Sequence, residues 1–244
     1  MYLGLLKTGI PVLGPAFGNA LAVTAAVLTF ASVLYFKAIK YADLSLAIPM
    51  MAFTPMFLLI SSPLILGELP GGMSVVGIVL SVGGSYILHF RDRSIGCFEP
   101  FKSLIREKGP RYMLCVAAIY SISANMDKIG VMNSSPLMWI ASVNSLLALT
   151  FGLIVIRRNL KFLEQIKTVW PFLILIGLCN AAAAIFQMTA VKMTLVPYLI
   201  AVKRTSIVMS SLFGFIFFKE KGIRERLAGV ALMVAGVFMI YFYK

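Results

Sequence analysis

The sequence predicts an all-α protein that crosses a membrane eight times and is built from an inverted repeat. Three observations predict it. Apolar residues make up 60% of the chain and charged residues only 13%, where ordinary globular chains sit near half and a quarter. The apolar residues fall into eight runs, 14–36, 44–66, 73–90, 112–131, 137–156, 170–191, 196–218 and 227–243. Each run is near the roughly 20 residues needed to cross hydrocarbon at about 1.5 Å per residue. Finally, Lys40, Glu68, Gly77, Leu80, Val82, Gly84 and Phe90 recur as Lys192, Glu220, Gly229, Leu232, Val234, Gly236 and Phe242. The offset is constant (192 − 40 = 152 and 242 − 90 = 152).

The first run carries Gly14, Gly18, Ala22 and Ala26 at four-residue spacing. Small residues on one ridge let two helices approach closely in lipid. Packing within the chain is the first expectation for this ridge, and a homodimer interface is the second. The second run contains Pro49, Pro55 and Pro63. Each proline removes a backbone donor and bends a helix. Freed carbonyls are tolerated in a membrane where they line protein or a cavity, which makes this run the candidate gating element. The third run carries Gly77 and Gly84 and ends at His89, the only histidine, with no partner for catalysis or metal binding.

Within the fourth run, 112–126 is too short to span, so the helix continues through Asp127 and Lys128. Ser121, Asn125 and Lys128 share one face; Tyr120, Ser123, Ala124 and Asp127 share another. Asp127 is the carboxylate best placed for proton coupling; with Lys128 it also reads as a helix end in the head-group zone. In the sixth run Asn180 and Gln187 flank Ala183 and Ala184 on one face, as a cavity wall or as interhelical hydrogen bonds.

The seventh run holds Lys203 and Arg204. Could its helix begin after them? The stretch 205–218 would reach only about 21 Å, short of a ~30 Å core. The helix therefore starts near Val196 and carries both cations inside it. Ionisable residues there are costly and read as functional by default, against snorkelling of long side chains toward the head groups. Lys203, Ser206 and Ser210 follow at i, i+3 and i+7 on one face. Glu68 and Glu220 hold equivalent loop positions, which suits a cap or ion pair repeated by duplication.

The net charge of +13 does not sit on one face or arm, so nucleic acid is not an expected partner. The cations gather in alternate loops: Lys37 and Lys40, the stretch 91–111, Arg157 to Lys167, and Lys219 to Arg226. This is the positive-inside pattern, and it places the 91–111 and 157–167 loops in the cytoplasm. The chain divides into a first repeat at 1–90, a basic loop at 91–110 and a second repeat at 111–244. Counterparts of the fourth and fifth runs would lie before Met1 (112 − 152 = −40 and 156 − 152 = 4), so the first two of ten helices are expected to be missing. Cys97, Cys115 and Cys179 form no metal spacing and imply no disulfide framework. The chain shows no phosphate-binding Gly-rich loop and no zinc motif, so neither an enzyme nor a cofactor is expected.

The stretch from Tyr41 to Pro49, then Pro55, Leu66-Gly67-Glu68 and the Gly77/Gly84 helix resemble the EamA-type repeat of the drug/metabolite transporter superfamily. In the second half Lys203-Arg204-Thr205-Ser206, Phe218-Lys219-Glu220-Lys221 and Arg226-Leu227-Ala228-Gly229 are similar to its corresponding pattern. The resemblance implies a carrier in the cell membrane with a central cavity, moving a small metabolite by alternating access. Duplication inside apolar helices is also the usual build of such carriers. The candidate substrate-binding residues are Lys203, Arg204, Ser206, Ser210, Asn180, Gln187, Asn125 and Tyr120. Two cations favour an anionic substrate. A lipid-linked sugar flippase and a non-transporting or truncated membrane protein are the alternatives.

Overall fold

The computed structural model describes residues 12–41, 47–89, 102, 106–158, 162–209 and 223–243. Among them are eight α-helices, one 3-10 helix and no strand. The α-helices are α1 (Phe17–Tyr41), α2 (Thr54–Leu66), α3 (Gly72–His89), α4 (Lys108–Met132), α5 (Pro136–Arg158), α6 (Phe162–Met193), α7 (Val196–Lys203) and α8 (Ile223–Phe242). Among the described residues four spans are long and apolar enough to cross a membrane: Phe17–Tyr41, Ile48–Leu66, Pro136–Ile154 and Val169–Met193. The expected loop helix at 91–111, Glu220 and Ser210 lie wholly or largely outside the described residues.

Two elements depart from simple apolar runs. The second run is not one α-helix. Among the described residues it holds a 3-10 helix, Ile48–Phe53, followed by the α-helix Thr54–Leu66. Pro55 has no N–H to give the carbonyl of Met51, so the α ladder cannot pass that point. Thr54 bonds Met51 at the tighter i−3 spacing instead. The seventh run tightens in the corresponding place. After Lys203, Thr205 bonds Val202 (2.9 Å), Ile207 bonds Arg204 (3.0 Å) and Val208 bonds Thr205 (2.9 Å), all at i−3. Helix ends follow local chemistry. Gly67 takes φ 69°, and its N–H and that of Glu68 close on the carbonyls of Pro63 and Ser62, an αL stop. Ser135 starts α5 by accepting the Met138 N–H at 3.2 Å ahead of Pro136.

The chain forms two compact units. The first comprises Met1–Thr29 and Met126–Met193. Its centre is Trp139, which is buried, meets Phe17 edge-on at 5.7 Å and donates its indole N–H to Asp127 Oδ1 at 2.9 Å. The indole lies directly on Gly130, where no Cβ would fit. Gly14 donates its N–H to the Asn133 carbonyl at 2.8 Å and has the Asn133 side chain where its own would be. Gly18, Ala22 and Ala26, the rest of that small-residue ridge, are exposed. Residues 169–180 of α6 are all exposed and mostly apolar, a surface suited to lipid.

The second unit comprises Phe30–Asn125 and Thr194–Lys244. Its most extensive helix contact is α3 against α8. Gly77 faces Gly236 and Gly84 faces Gly229, so the helices run antiparallel. The repeat offset turns 77 into 229 and 84 into 236, so this crossing maps onto itself when the repeats are exchanged. Ile78, Val82, Tyr198, Ala201 and Ile240 form a core beside it. A second core holds Leu58, Ala124, Val196 and Ile200. A third holds Ala38, Ala47, Met50, Met113 and Val116.

Candidate functional site at two helix breaks

The two tightened segments meet in the second unit. Arg204 Nη2 donates to the Met51 carbonyl at 2.7 Å and to Thr54 Oγ1 at 2.9 Å. The Thr54 hydroxyl donates to the same carbonyl at 2.8 Å, which closes a triangle. Met51 is the repeat equivalent of Lys203 (203 − 152 = 51). The contact therefore joins equivalent points of the two repeats. Carbonyls at the C-terminal end of a helical segment carry partial negative charge and attract a cation. Arg204 Nε is buried with no hydrogen-bond partner among the described residues.

Hydrogen bonds from the loop after α2 tie it to the first turn of α7. Leu195 precedes that helix in extended conformation with no side-chain cap of its own. Glu68 Oε2 supplies one from 128 positions away, accepting the Val196 N–H at 3.0 Å and the Ser62 hydroxyl at 3.2 Å. A carboxylate at a helix N-terminus satisfies an orphan donor and favours the dipole. Gly71 N–H donates to the Tyr198 hydroxyl at 3.2 Å, beside that cap. Glu68 thus has the capping role that its loop position suggested.

A third polar cluster crosses from α4 to α2. Asn125 Nδ2 donates to Ser61 Oγ (2.9 Å), Ser61 to Ser121 Oγ (3.3 Å) and Ser121 to the Ala118 carbonyl (2.7 Å). Because the chain of donors ends on a carbonyl, the Asn125 amide must present its N–H to Ser61. Its Oδ1 is left buried without a partner among the described residues.

The expected binding residues are thus placed as follows. Arg204 is half-buried on the break, while Lys203 and Ser206 beside it are exposed. Asn125 is buried among hydroxyls, and Tyr120 packs at the edge of the Ala38–Met50–Met113 core. Asn180, exposed, and Gln187, half-buried, belong to the first unit, as does Asp127. Thr54, Ser61, Tyr198 and the Met51 carbonyl were not singled out from sequence. Thr54-Pro55 was the available signal, since a proline marks the carbonyl it leaves without an α-helical donor. Among the described residues no cluster of His, Cys, Asp or Glu could hold a metal ion.

The chain matches the EamA-like transporter family over residues 2–90 and 108–242. No curated protein matches it.

Proposed function

Since the chain belongs to the EamA-like transporter family, and is an integral multi-pass membrane transporter of the drug/metabolite superfamily, we propose that it moves a small anionic metabolite by alternating access. One observation carries the reading: two discontinuous helices, equivalent in the repeat, meet at a cation. Broken helices in corresponding positions of two halves are the usual place for substrate in inverted-repeat carriers. Lys203 and Arg204 supply positive charge there, and Ser206 and Ser210 are further proposed substrate contacts. Asn125 and Tyr120 are further proposed substrate contacts, and Asn180 and Gln187 are proposed contacts within the first unit. Asp127 is the proposed proton-coupling carboxylate. The 1–90 and 111–244 segments act as the two repeats, and the substrate and the bilayer are the partners. The small-residue ridge on α1 stays a secondary proposal for a homodimer contact.

The test is flux in proteoliposomes. Purified protein should exchange radiolabelled organic anions in preference to matched neutral and cationic compounds. Lys203→Gln should weaken that preference while leaving folding unchanged. Equal flux of neutral compounds, or none of any anion in a broad panel, would overturn the anionic reading. Transbilayer movement of a lipid-linked sugar instead would favour a flippase.

A further inference from the structure

The two cations at the break need not do the same work, and their surroundings differ. Arg204 is half-buried, and its Nη2 is engaged with an acceptor pair belonging to the other repeat. Lys203 is exposed at the end of α7. Pro55 leaves the Met51 carbonyl without its α-helical donor, and the 3-10 segment ends on it through the Thr54 N–H, with Arg204 and the Thr54 hydroxyl as further donors. A carbonyl with two lone pairs at such an end is a site for positive charge, of the kind that unwound carrier helices offer to ions.

We propose that Arg204 is a tethered cation that pins the Pro55 break closed. It is a positioning residue that acts on transport through the 3-10 segment, while the anion-contacting role falls to Lys203. This rests on the anionic reading above only for the part given to Lys203. Thr54 is the third member of the device. Its hydroxyl accepts from the guanidinium and donates to the carbonyl, so the three groups hold or release together. The geometry also argues against Arg204 as a freely available anion clamp. An anion approaching Nη2 would have to displace both acceptors, and Nε beside it is buried.

The experiment compares Arg204→Gln, Arg204→Lys, Thr54→Val and Lys203→Gln in the full chain. Amide exchange of the 48–58 segment is followed by mass spectrometry beside anion flux. A charge-assisted hydrogen bond supports an expected rise of about tenfold in exchange at 48–58 for Arg204→Gln. Thr54→Val should give a smaller rise, and the double variant should fall short of the product of the two. Arg204→Lys, which keeps a cation for the carbonyl, should restore much of the protection. Lys203→Gln should change KM for the anion and leave exchange at 48–58 as in the wild type. Unchanged exchange in Arg204→Gln, or independent effects of Arg204 and Thr54, would overturn the proposal. So would restoration of flux by Arg204→Lys without restored protection. If the wild type carries no anion at all, the anionic reading fails, and the exchange measurements still decide whether Arg204 pins the break.

Discussion

Gly77 and Gly236 leave each other no room for a side chain. A Cβ on Gly77 would stand 2.6 Å from the Gly236 carbonyl oxygen, and one on Gly236 would stand 2.5 Å from that of Gly77. Gly84 and Gly229 repeat the relation at 2.5 and 2.9 Å. Backbones meet here, and neither can yield as a flexible side chain would. Gly77→Ala and Gly236→Ala should each destabilise by about 1–3 kcal/mol, the usual cost of forced overpacking. Gly83, on the same helix, has nothing within 4 Å. Gly83→Ala should be neutral or stabilising by up to about 1 kcal/mol from helix propensity. Thermal unfolding in detergent checks all three.

Removing charge from the α7 cap should loosen that helix first. Glu68→Gln keeps an acceptor for the Val196 N–H but loses the charge–dipole contribution, a cost of about 0.5–1 kcal/mol. Glu68→Ala removes the acceptor as well and should cost about 1–2 kcal/mol. Tyr198→Phe deletes the neighbouring bond from Gly71 and should cost about 1 kcal/mol. Thermal melts give the order, and a Glu68→Ala variant as stable as wild type would refute the capping role.

Asp127 offers a separable test of structure and coupling. Asp127→Asn keeps an oxygen for the Trp139 indole and should melt within about 1 kcal/mol of wild type, whereas Asp127→Ala orphans a buried donor and should cost about 1–3 kcal/mol. Under the proposed coupling, Asp127→Asn retains counterflow exchange but loses accumulation driven by a pH gradient. Gradient-driven accumulation equal to wild type would confine Asp127 to holding Trp139.

Asn125 combines a satisfied donor with an orphan acceptor. Asn125→Leu is close in shape and removes both, so stability should change by less than about 1 kcal/mol. Flux should fall nonetheless if the amide meets substrate. Measured together, melting temperature and flux distinguish a contact residue from a buried packing group.

Helices were legible because they are written in side chains. Apolar runs give the spans, and a constant offset gives the repeat, down to the glycines that meet at the α3–α8 crossing. Glu68 could be read as a cap because its loop position recurs. The break at Met51 was only half legible. Pro55 announced a freed carbonyl, but a backbone oxygen leaves no mark in sequence to say which distant donor it will find. Arg204 therefore read as a cation in need of an anion, and its protein acceptors emerged only from the fold. The central place of Trp139 was missed for a related reason. Its complement is an absence, the missing side chain of Gly130, together with an aspartate that sequence placed at a helix end.

The α3–α8 crossing has the character of an isologous dimer interface drawn inside one chain. Each helix offers the patch that it receives, as identical subunits do about a two-fold axis. A self-complementary patch of this kind needs no second sequence to recognise, so a single copy of the repeat would already carry both halves of the contact. Fusion of two copies then supplies covalently what a dimer supplies by concentration, and frees each copy to diverge. Arg204 shows that freedom: its equivalent in the first repeat is Ala52 (204 − 152 = 52), and the asymmetry has been spent at the helix breaks while the glycine crossing has kept its symmetry.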